Sequence, residues 1–150
     1  MARWLEGRKM PYFLPVFKRT TVSHRKSRTT EIPLFPGYVF VQGNHGKCAF
    51  ARSGSVVRVL TPSCAADAAI LDSQLCDVWR GLGSGSPLVP LRAFSAGELV
   101  EVLAGPMEGA VGRFMRKGRH GAIVLLVDML GFGVSVELSS ECRLRSLGGT

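Results

Sequence analysis

The sequence predicts an α+β chain in two parts, a sheet-and-helix part followed by a small all-β barrel. Three observations predict it. Short β-branched runs separated by glycine turns fill Leu99 to Leu138. An apolar stripe of helical spacing runs through Leu71, Leu75, Val78, Trp79 and Leu82. A Gly-Ser-Gly-Ser-Pro stretch at 83–87 stands between the two and reads as a linker. The expected organisation is 1–82, a linker at 83–93, and a barrel at 94–147.

Taken in order, residues 3–10 read as the end of a helix. Pro11 and Pro15 stop it and favour extended chain. Tyr12-Phe13-Leu14 and Val16-Phe17 read as strand. Lys18 to Thr30 contains Lys18, Arg19, Arg25, Lys26 and Arg28 and no acid. It reads as a long, solvated hairpin loop. Glu31 to Gln42 returns as strand. Within it, Tyr38 and Phe40 share one face, and Val39 and Val41 the other. Such a strand can be buried, or it can bury one face and offer aromatic rings to a partner. Val56 to Leu60 reads as a further strand. Ser63 is the expected N-cap of the helix that follows, and Gly83 its stop. Beyond the linker, strands are expected at 99–103, 111–115, 123–129 and 134–138. Closing them into a barrel of about fifty residues leaves no exposed edge.

The chain has 150 residues, 46% hydrophobic and 20% charged, with a net charge of +8. This is a globular composition. Residues 1–82 hold 12 Lys/Arg against 5 Asp/Glu, and residues 83–150 hold 7 against 6. The first part is therefore the one expected near nucleic acid. Cys48, Cys64, Cys76 and Cys142 form no C-x-x-C pair, which excludes the usual zinc and thioredoxin patterns. They are expected as reduced thiols of a cytoplasmic protein. The N-terminal residues lack the apolar core of a signal peptide. No stretch approaches the ~20 apolar residues that span a bilayer. There is no phosphate-binding loop, nucleophile elbow, paired carboxylate motif or metal cluster. The expectation is a protein that is not an enzyme and uses no cofactor or metal.

Two segments then resemble one family. Phe35-Pro36-Gly37-Tyr38-Val39-Phe40-Val41 is similar to the signature strand of the N-terminal domain of NusG-type transcription factors. Gly97 to Phe114, GELVEVLAGPMEGAVGRF, resembles a KOW motif, and Asp128 to Leu138 resembles the strand pair that closes the KOW barrel. Phe50 to Val59 is similar to the segment after the signature. The resemblance implies an N-terminal antiparallel sheet with flanking helices and an SH3-like KOW barrel. It implies a transcription elongation or antitermination factor that binds the clamp helices of RNA polymerase through Phe35, Pro36, Tyr38, Phe40 and Arg52. Lys18, Arg19, Arg25, Lys26 and Arg28 would lie near DNA. Met129, Leu130 and Phe132 would form the KOW tip that recruits a second factor, Rho or a small-subunit ribosomal protein. A monomer with no membrane partner is expected. The family's opening aromatic strand has no counterpart before Trp4, so an incomplete first domain is also expected. The alternative is a ribosome-associated RNA-binding KOW protein. The small net charge of residues 83–150 argues against it, since RNA-binding barrels are usually strongly basic.

Overall fold

A computed structural model describes residues 1–23, 26–43, 45–91, 97–117 and 120–148. The chain is α+β and divides into two compact units, Met1–Thr61 and Pro62–Thr150. The expected junction at 83–93 thus lies inside the second unit.

The first unit opens with helix α1 (Ala2–Gly7). Lys9 ends it with a positive φ of 55°, and Pro11, which has no N–H, prevents its resumption. Strand β1 (Tyr12–Phe13) pairs antiparallel with β4 (Phe40–Val41), setting Phe13 opposite Phe40. Between them β2 (Val16–Ser23) and β3 (Lys26–Pro33) form a regular two-stranded ribbon, from Val16 opposite Pro33 to Ser23 opposite Lys26. The basic segment is therefore mostly strand, not the expected loop. The long strand expected at 31–42 is broken after Pro33 by the turn through Phe35, Pro36 and Gly37. Gly37 takes a φ of 87° there, a conformation open to glycine at little cost. Helix α2 (Lys47–Ala51) follows. Leu5, Leu34, Phe35 and Phe50 make the unit's buried core. Val56 to Leu60, expected as a strand, is irregular, and Val57 is fully exposed. Its β-branched residues have no neighbouring strand to pair with.

The second unit begins with helix α3 (Ala65–Gly83). Cys64 is its N-cap and makes no side-chain capping bond, so the start lies one residue beyond the expected Ser63 cap. Six strands follow: β5 (Leu88–Leu91), β6 (Glu98–Ala104), β7 (Val111–Lys117), β8 (His120–Val127), β9 (Phe132–Glu137) and β10 (Arg143–Ser146). They form one antiparallel sheet in the order β10-β6-β7-β8-β9-β5. The sheet is open, with β10 and β5 as its outer strands, and is not the closed barrel expected. Residues Leu88–Leu91, expected within the linker, pair with β9 instead.

Ala122 to Leu125 on β8 are buried without interruption, the pattern of a strand covered on both faces. Helix α3 supplies one cover, packing on β8. A Cβ at Gly81 would lie 2.9 Å from Leu125 Cδ1 and 3.2 Å from Val136 Cγ2, so glycine permits the close approach. Trp79, placed by spacing in the buried stripe, is 68% exposed. The turn at 105–109 uses positive φ at Gly105 (104°) and Gly109 (82°). Gly112 lies in β7. A Cβ there would meet Val124 O at 2.5 Å, so its role is close strand contact.

Candidate functional site

In the first unit the β1–β4 pair and the turn at 35–37 bring three aromatic rings together. Phe40 stands edge-on to Phe35 at 5.8 Å between centroids and 6.3 Å from Phe13. Phe35 is only 1% exposed, so of the expected contact residues it is the one that packs inward. Phe40 and Tyr38 are half-buried and Pro36 is exposed. The Tyr38 N–H donates to Phe35 O at 3.0 Å, which closes the turn. Tyr38 and Phe40 thus keep partial exposure next to the buried Phe35. Phe13 belongs to the cluster but was missed in the sequence, because a two-residue strand leaves no periodic signal. Arg52 is exposed and caps the C-terminal end of α2.

Next to this pair, Tyr12 Oη donates to Glu6 Oε1 at 2.5 Å. That bond to a carboxylate holds the phenol pKa above its ordinary value. The Arg8 guanidinium sits 4.0 Å from the Trp4 ring centroid, a cation–π contact. Trp4 in turn lies 6.2 Å from Phe50.

The structural division sharpens the charge pattern. Residues 1–61 hold 11 Lys/Arg against 2 Asp/Glu, a net of +9, and residues 62–150 hold 8 against 9, a net of −1. Lys18, Arg19, Lys26 and Arg28 all lie exposed on the β2–β3 ribbon. Arg25 lies outside the described residues.

In the second unit, a 3-10 turn (Asp128–Leu130) joins β8 to β9, and Gly131 follows it with φ at 65°. Met129 is 36% exposed, while Leu130 and Phe132 are half-buried. Phe132 opens β9 and so is not part of the turn as expected. Gln74 of α3 holds this turn from both sides. Its Nε2 donates to Asp128 Oδ2 at 2.6 Å, and its Oε1 accepts from the Asp128 N–H at 3.0 Å. Nothing in the spacing of α3 signals that role for Gln74.

Among the described residues no three His, Cys, Asp or Glu side chains converge as a metal site, and the four cysteines are unpaired. Among them, no helix is long and apolar enough to cross a membrane. No family model, curated protein or solved structure matches the chain.

Proposed function

We propose that the chain is a NusG-like transcription elongation or antitermination factor. Its first unit binds the clamp helices of RNA polymerase, and its second unit, as the KOW domain, recruits another factor. The observation that carries this reading is the half-burial of Tyr38 and Phe40 beside the Phe35-Pro36-Gly37 turn, with Phe40 edge-on to the buried Phe35. Rings so held lose little side-chain freedom when a partner covers them. The strand succession β6 to β9, with β10 returning beside β6, supports the KOW part of the reading. Met129, Leu130 and Phe132 are the residues through which the second unit would meet Rho, a small-subunit ribosomal protein or a factor in their place. The net charge of −1 over residues 62–150 disfavours the alternative of a ribosome-associated RNA-binding barrel.

Pull-down of the full chain on an immobilised clamp-helix fragment tests the polymerase contact. Wild type is retained, and the double variant Tyr38→Ala, Phe40→Ala loses about tenfold or more in affinity, since two truncated anchors cost more than ~1 kcal/mol each. Equally poor retention of both proteins refutes the contact.

A further inference from the structure

We propose that a cleft within the second unit, between α3 and the sheet, binds a short free peptide with an apolar middle, its carboxylate at Arg113 and its ammonium at Asp128.

Helix α3 gives Ile70, Ser73, Gln74 and Asp77 to the cleft. The last three follow Ile70 by three, four and seven positions, so all share one helix face. The sheet gives Leu99, Val111, Arg113 and Leu126. Leu99 stands opposite Arg113, and Arg113 opposite Val124. Val111 lies two residues from Arg113 on β7, and Leu126 two residues from Val124 on β8, so the four share one sheet face. The cleft has a volume of about 370 Å³, within the range of small-ligand sites. Packing alone does not account for it. Val78, on the neighbouring apolar stripe of α3, is fully buried. Ile70 is 52% exposed, and Leu99, Val111 and Leu126 are only half-buried. The apolar floor is thus partly uncovered, and the helix face beside it is polar.

The charges of the cleft are fixed and separated. Asp77 is neutralised by Arg80 at 2.7 Å and takes the Val111 N–H. Asp128 is held by Gln74 through Oδ2, and among the described residues its Oδ1 has no partner. Arg113 donates through Nη1 to Gly97 O at 2.8 Å and makes no ion pair among the described residues. Most of its N–H donors stay available. A guanidinium in that state suits a carboxylate, and the open oxygen of Asp128 suits an ammonium. Asp128 lies four residues beyond Val124, the partner of Arg113, which is about 13 Å along the strand direction. An extended chain advances about 3.5 Å per residue, so three or four residues bridge the two charges. Apolar side chains between the termini would cover Ile70, Leu99, Val111 and Leu126. A fatty acid or a simple amine satisfies one end and leaves the other unmatched.

NMR titration of the full chain with the tetrapeptide Ala-Leu-Leu-Ala, and with its N-acetylated and C-amidated forms, tests this. The free peptide is expected to shift amides at 70–77, 99–113 and 126–128. Each cap is expected to weaken binding about fivefold, as loss of one partly exposed charge pair does. Arg113→Gln weakens the free-acid peptide by a similar factor and leaves binding of the amidated form unchanged. Asp128→Asn weakens the free-amine peptide and leaves binding of the acetylated form unchanged. Arg113→Lys, which keeps the charge, retains most of the wild-type affinity. A variant that only disturbs the fold weakens capped and uncapped peptides alike, and that result overturns the proposal. So does octanoate or octylamine binding as tightly as the peptide, or the absence of shifts in the cleft at millimolar peptide. None of these outcomes bears on the clamp-helix pull-down.

Discussion

Asp77 is the buried charged residue among those described, and its surroundings set a pH dependence. Its Oδ1 accepts from Arg80 Nη1 at 2.7 Å, and Arg80 also reaches Gly109 O at 3.5 Å. Burial pushes the Asp77 carboxyl above its ordinary 3.8, while Arg80 and the Val111 N–H offset part of that rise. A raised pKa means that the folded state binds this proton more tightly than the unfolded chain does. Asp77 therefore adds stability as pH falls through its raised folded value, and the gain is complete below 3.8. In urea unfolding across that window, the stability of wild type relative to Asp77→Asn should increase on acidification and then level off. A difference that shrinks as pH falls would contradict this account. The sequence concealed Asp77 because it sits beside an apolar stripe. Its Arg80 partner, three residues on, was the available clue.

At the scale of elements, helix α3 does more than fill a core. Gln74 ties it to the turn carrying Met129 and Leu130 through two hydrogen bonds. Gln74→Ala should cost about 1 kcal/mol or less, since net hydrogen-bond contributions at exposed sites are small. The sharper readout is local: amide exchange at Asp128 should quicken while exchange in β8 stays near wild type. The elements also show what a sequence can reveal. The strands from β6 to β9 were legible because each is a short apolar or β-branched run set off by turns, most of them glycine-containing. The ribbon was not, because a two-stranded arm exposed on both faces has no apolar period, and its Lys, Arg and Thr residues resemble a loop. Val56 to Leu60 failed in the opposite direction. A β-branched run carries strand propensity, but propensity without a pairing neighbour does not make a sheet. The aromatic site was half legible. The Phe35–Val41 segment drew notice to its aromatic residues, but only the fold showed that Phe35 is buried and that Phe13 joins Phe40 and Phe35 in one ring cluster.

At the scale of the molecule, the placement of α3 decides where the chain can be cut. Gly81 lies against Leu125, Val136 and Leu88, so the helix belongs to the core of the second unit. A fragment of residues 62–150 should unfold in one cooperative transition. A fragment beginning at residue 84 should have a markedly lower denaturation midpoint or be unfolded, having uncovered β8. Equal midpoints for the two would place α3 outside that core. The break read from composition fell at 83–87 because Gly, Ser and Pro mark flexible chain in general. Here the same residues make the short return from α3 to β5.

That return strand has an effect on how copies of the protein meet. A sheet ending in a bare row of N–H and C=O groups invites pairing with another molecule's strand, the first step toward aggregation. Here the outermost strand on one side is β5, whose Pro90 has no N–H to offer. On the other side β10 carries Arg143 and Arg145, and Arg145 is engaged with Glu101 of the neighbouring β6. Charged side chains on an outer strand oppose its pairing with another molecule. By leaving its sheet open and giving each margin a different obstacle, the second unit guards against self-propagating assembly without sealing itself into a ring.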